Sequence, residues 1–243
     1  MGGTPAFGLF AVLASGVVVE LPLNPVARVQ FLHNSPSAAL NEIDVYGFTQ
    51  LILDNFEFRT GTPFFYLPAG FPIPMGVALS NSQSSNDTIA AFPTTFENGK
   101  TYTVAVSGLL GGSPALSLIV QDSARERTQD VSKVELAFLQ GIRDAPSLDI
   151  LDYFTDTPEL TDLQYGTFTD YLAFDPDLVF LRGVPTATPN ITTGIWGGDF
   201  SQGAGISGVL FMTGITNTNK QHTGRTAGRV TTLNALLPVS YTH

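Results

Sequence analysis

The chain has 243 residues and no cysteine, with 11 Lys and Arg set against 21 Asp and Glu for a net charge of −10. Hydrophobic residues make up 43% and charged residues only 13%, enough apolar material for one large core or two ordinary ones. The missing basic stripe excludes a nucleic-acid partner, and the missing cysteine excludes a disulfide framework, a thiolate zinc site and a Cys nucleophile.

In chain order, the first feature is the apolar stretch over residues 6–19. It is shorter than the ~20 residues that cross a bilayer, so no membrane insertion is expected. No Lys or Arg precedes it, so it is not read as the core of a signal peptide. Strand-like segments then follow at short intervals: residues 28–32, 42–46, 51–58, 64–67, 75–79, 88–92, 101–106 and 115–120. Residues 28–32 alternate polar and apolar side chains, the pattern of a half-buried strand. Pro68-Ala69-Gly70 and Glu97-Asn98-Gly99 supply turns between strands. This density is that of a two-sheet sandwich. A polar connector over residues 122–132 reads as a linker or one helical turn.

After the connector the pattern restarts. Phe31-Leu32 aligns with Phe138-Leu139, Ile43-Asp44-Val45 with Leu148-Asp149-Ile150, and Thr60-Gly61-Thr62 with Thr167-Phe168-Thr169. Repetition on this scale predicts two homologous domains: an orphan strand segment over 1–25, a first repeat over 26–124, a linker over 125–132 and a second repeat over 133–243. The orphan segment resembles a closing strand, because residues 5–12 look like residues 114–120. It is read as a donor strand or as the remnant of a preceding repeat.

His33-Asn34-Ser35-Pro36, Ile43-Asp44-Val45-Tyr46, Tyr66-Leu67-Pro68-Ala69-Gly70 and Gly99-Lys100-Thr101-Tyr102-Thr103-Val104 resemble, in order and spacing, the signatures of the DUF4397 family. The second copy keeps Asp144-Ala145-Pro146 but has Gln140 in place of His33, and Ala173-Phe174-Asp175-Pro176 in place of the LPAG turn. The resemblance implies an all-β fold of two tandem immunoglobulin-like β-sandwich domains, export to the bacterial cell surface, and no catalytic residues.

Chemical motifs are sparse. Gly203-Ala204-Gly205-Ile206-Ser207-Gly208 fits GxGxxG, but the residues after it have strand character where a dinucleotide site needs a helix. The histidines are His33, His222 and His243, without partners at metal-ligand spacing. Asp144, Asp149, Asp175 and Asp177 are weak calcium candidates, read against the commoner use of Asp in turns. Trp196, the single tryptophan, is read as a core residue or as a surface on which a glycan stacks. Asn86-Asp87-Thr88 and Asn190-Ile191-Thr192 fit the N-glycosylation pattern. The expected function is that of a non-enzymatic extracellular structural or interaction protein. It is expected to self-associate into a filament by strand addition through Ala6, Phe7, Leu9, Phe10, Val12, Val17 and Val19. The alternative is a carbohydrate-binding or adhesive module that presents Trp196 or Tyr153-Phe154.

Overall fold

The computed structural model describes residues 9–21, 24–215 and 232–236, the last group together with Glu20 and Leu21 by backbone alone. The described chain is all-β. It opens with β1 (Leu9–Val12) and β2 (Val18–Leu21), which pair antiparallel with each other and with no other strand. The segment expected as a single orphan strand is therefore one arm of a hairpin. Its turn is closed by Gly16 N–H to Leu13 O and Leu13 N–H to Val17 O, with Gly16 at a φ of 83° that only glycine adopts cheaply.

Two sets of strands follow. The first comprises β3 (Val26–Asn34), β4 (Glu42–Gly47), β5 (Gln50–Glu57), β6 (Phe65–Pro68), β7 (Pro72–Leu79), β8 (Ala90–Thr95), β9 (Thr101–Ser107) and β10 (Ser117–Gln121). The second comprises β11 (Val134–Ile142), β12 (Leu148–Asp152), β13 (Pro158–Leu163), β14 (Leu172–Phe174), β15 (Leu178–Pro185), β16 (Gly194–Asp199), β17 (Ser207–Gly214) and β18 (Thr232–Leu236). Each set forms two four-stranded sheets in one order: β10-β9-β3-β6 with β5-β4-β7-β8, and β18-β17-β11-β14 with β13-β12-β15-β16. The closing position of the second set is held by β18.

Alternate side chains from paired sheets meet in two cores. Val29, Phe31, Ile43, Val45, Met75, Val77, Val104 and Val106 fill the first. Leu136, Phe138, Leu148, Ile150, Leu181, Trp196, Leu210 and Met212 fill the second. A third core lies between the sets, where Leu32 and Ala105 pack on Ala137, Leu139, Val209 and Phe211. The sheets thus stack as outer, inner, inner, outer, and the inner pair is covered on both faces.

That stacking explains a pairing that strand counting does not anticipate. β3 runs parallel to β9, and β11 parallel to β17, at the centre of each inner sheet. Parallel pairs survive where both faces are buried, and β11 and β17 are buried at every residue. The alternation over residues 28–32 is likewise no sign of a half-exposed strand. Gln30 is buried, with its amide donating to Thr62 O at 2.9 Å.

Buried polar groups close the seam between the sets. Asn34 Nδ2 donates to Gly141 O and to Ser107 Oγ, both at 3.3 Å, and Ser107 Oγ lies 3.0 Å from the Tyr165 hydroxyl. At the opposite end of the seam the connector forms no helix and is tied down. Arg28 makes two hydrogen bonds to Glu126, and the Arg125 guanidinium lies 2.6 Å from the buried Glu135 carboxylate and over the Tyr171 ring.

Candidate functional site

His33 sits at the end of β3, fully buried between the rings of Phe56 and Phe58. Its Nε2 lies 2.8 Å from Leu40 O and its Nδ1 accepts from Ser35 N–H at 3.3 Å. Both nitrogens are thus engaged by backbone, which fixes the neutral ring with its proton on Nε2. Burial pushes its pKa down to about 4, against a smaller opposing effect of the Leu40 carbonyl. Gln140 does the same work in the second set. Its Nε2 donates to Pro146 O at 3.4 Å and its Oε1 accepts from Ile142 N–H at 2.7 Å. A side chain that an amide replaces in this way acts as a strand-end clamp.

The repeated aspartates are clamps too. Asp44 Oδ1 accepts from Asn55 N–H at 3.0 Å, and Asp149 Oδ1 accepts from Asp162 N–H at 2.8 Å. Asn55 and Asp162 both have positive φ, at register breaks in the β4–β5 and β12–β13 pairings. Each carboxylate therefore satisfies a backbone donor that a bulge has freed. Asp44 is tied further to Ser82, and Asp149 to Thr186 Oγ1 at 2.7 Å.

The other calcium candidates are dispersed. Asp175 lies 2.5 Å from Lys133 Nζ, Asp177 accepts from Leu178 N–H, and Asp144 stands half-buried in the loop after β11. Among the described residues no group of three or more His, Cys, Asp or Glu is placed to hold a metal. The GxGxxG segment turns at Gly205, with φ 83°, and enters β17, so no helix N-terminus faces a pyrophosphate there. His222 and His243 lie outside the described residues.

Trp196 must be corrected as a glycan platform. It is 5% exposed and belongs to the second core. Its ring lies where a Cβ on Gly183 would stand, 2.6 Å from Cη2, so the indole has no face to offer. The aromatic surface of this set is the β12–β13 turn. There Tyr153 is 42% and Phe154 72% exposed, with ring centroids 5.3 Å apart and planes at 79°. Phe180 backs Phe154 at 5.5 Å and lies flat over Gly197. The Asp152 carboxylate fixes the turn by accepting from the N–H groups of Phe154 and Thr155 and from the Thr155 hydroxyl, which hold its pKa below the usual carboxylate range.

A further exposed apolar surface among the described residues is the N-terminal hairpin. Leu9, Phe10, Val12, Val17, Val18 and Val19 are all more than two-fifths exposed. Ala6 and Phe7 lie outside the described residues. Val17 belongs to the turn, so the hairpin's strand partners are Leu9 with Leu21, Phe10 with Glu20, Ala11 with Val19 and Val12 with Val18.

The pattern of clamps falls within a known family. The model of DUF4397, a domain of unknown function, matches residues 27–150, more than half of the chain and all but the first residue of the first set. The chain belongs to the DUF4397 family. The matched DUF4397 stretch begins one residue inside β3 and ends in β12, so it contains His33, Asp44 and their second-set counterparts Gln140 and Asp149. A search of curated proteins finds no match. No helix among the described residues is long and apolar enough to cross a membrane.

Proposed function

We propose that this chain is a non-enzymatic structural or interaction protein of the bacterial cell surface, and that it self-associates head to tail through its N-terminal hairpin. In this reading the two strand sets are tandem sandwich modules, immunoglobulin-like in having two packed sheets each. The observation that carries the proposal is the hairpin's exposed apolar side chains, Phe10 at 54%, Val12 at 72% and Val18 at 60%. A two-stranded hairpin without a covering layer is marginal in water, and its unpaired edges template pairing with another chain. A head-to-tail contact that does not close generates a filament. The non-enzymatic part is supported by the use of His33, Asp44 and Asp149 as backbone clamps. The surface location rests on the family resemblance.

Deleting residues 1–23 tests this reading. The shortened chain is expected to run as a monomer by light scattering where the intact chain gives higher masses. Equal masses for the two would sink it.

The Tyr153–Phe154 turn favours a second reading, a carbohydrate-binding or adhesive module. Perpendicular, rigidly backed aromatic rings suit the apolar face of a sugar. On that reading Phe154→Ala abolishes a glycan-array signal while changing stability by less than about 0.5 kcal/mol, as expected of an exposed side chain. Retention of the signal would remove it.

A further inference from the structure

The hairpin's sequence pattern points to its acceptor. Leu9-Phe10-Ala11-Val12 is apolar without interruption, so β1 carries apolar side chains on both faces. A strand of that kind is satisfied only where both faces are covered. In this fold that means the edge of an inner sheet. The outer-sheet edges β5, β8, β13 and β16 offer cover on one face only, and three of them carry further guards: bulges beside β5 and β13, and Pro93 within β8.

The inner-sheet edges are β6, β10, β14 and β18. β6 has four residues and ends on Pro68, and β14 has three and is followed by Asp175-Pro176. β18 is described by backbone alone. β10 has five residues, Ser-Leu-Ile-Val-Gln, with no proline, no charge and an unbroken register against β9. Its cover is incomplete in the way an added strand would repair. Leu116 and Leu118 are only partly buried against the first core, Ile119 only partly buried against the core between the sets, and Val120 is 42% exposed.

We propose that β1 of one copy adds to the open edge of β10 of the next, extending that copy's inner sheet by one strand. This rests on the head-to-tail reading above and names its acceptor. The likeness of residues 5–12 to residues 114–120 supports it, since a strand resembling β10 suits the environment that β10 itself occupies. Strand addition supplies main-chain hydrogen bonds along the edge. In this arrangement Phe10 and Val12 fall on one face of the extended sheet, with Leu9 and Ala11 on the other.

Because the native chain has no cysteine, disulfide trapping reads this contact without background. Two double variants, Phe10→Cys with Val120→Cys and Leu9→Cys with Val120→Cys, sample neighbouring registers. Under mild oxidation at least one is expected to give a ladder of multimers on a non-reducing gel that collapses on reduction. Val120→Lys, which places a charge on the edge, is expected to lower the assembled mass as far as deletion of residues 1–23 does. Two results overturn the proposal: a disulfide formed only at monomer mass, or no ladder from either pair together with unchanged assembly of Val120→Lys. If deletion of residues 1–23 dissolves the assembly while the β10 variants do nothing, β10 is the wrong acceptor and the head-to-tail reading stands. If the deletion itself changes nothing, that reading fails.

Discussion

Gly141→Ala is expected to lower the unfolding free energy by about 2–6 kcal/mol, a large part of the stability of an ordinary domain. A Cβ at this position would stand 1.8 Å from Asn34 Nδ2 and 2.6 Å from the backbone oxygen of Met212. The backbone oxygen belongs to β17, the parallel partner of β11, and cannot step aside alone. Forcing the extra methyl group in costs about 1–3 kcal/mol. Displacing the Asn34 amide adds about 1–3 kcal/mol for a buried polar group stripped of its partners. Urea denaturation measures the loss. Combining Gly141→Ala with Asn34→Ala separates the two causes, because the second change removes the nearer obstacle. The double variant should recover part of the loss, and strict additivity would show that Asn34 and Gly141 are not coupled across the seam.

The second large effect is acid sensitivity at His33. Its folded pKa is about 4 against an ordinary value of 6.5, so the unfolded chain binds the proton more readily. The stability contributed by the neutral buried ring is complete above pH 6.5. It falls as the pH drops from 6.5 towards 4, by about 3 kcal/mol over the window. The structure supplies the repair, since Gln140 makes the equivalent two backbone bonds with an amide that does not titrate. His33→Gln is therefore expected to fold normally at neutral pH and to flatten the stability profile between pH 6.5 and 4. An unchanged acid slope in the variant would assign the loss to other groups.

The repeat was legible because most of its clamps recur as residue types in one order, 105 to 107 residues apart. Thr62 Oγ1 accepts from Phe31 N–H at 3.0 Å, and Thr169 Oγ1 accepts from Phe138 N–H at 2.9 Å, so Thr62 and Thr169 align in sequence for a hydrogen-bonding reason. Asp44 and Asp149 align for the same kind of reason. The substitution of Gln140 for His33 was visible as well, although its meaning needed the backbone partners. The inner sheets were not legible. A strand buried on both faces loses its polar alternation, and Gln30 and Asn34 imitate exposed residues because their amides are satisfied inside the protein. Parallel pairing leaves no mark in either strand alone.

The candidate surfaces were legible only in part. Trp196 stands in a glycine-rich strand that resembles an open loop, and only the cross-strand contact with Gly183 places its ring in the core. The hairpin partner β2 was within reach, because Ser15-Gly16 is a turn signal between two apolar runs. Its weak point is the lack of strict alternation on either arm, which leaves the pairing face undefined. Tyr153-Phe154 stands out in the sequence as an adjacent aromatic pair, while its exposure follows from the Asp152 turn.

The intact chain is expected to associate in an open-ended way through its N-terminal hairpin. Sedimentation velocity of the 25.9 kDa chain over a wide concentration range tests it most directly. A mass that climbs continuously with concentration, with no preferred oligomer, is the predicted result. A mass fixed at the monomer, or at one closed oligomer, across the whole range would contradict it.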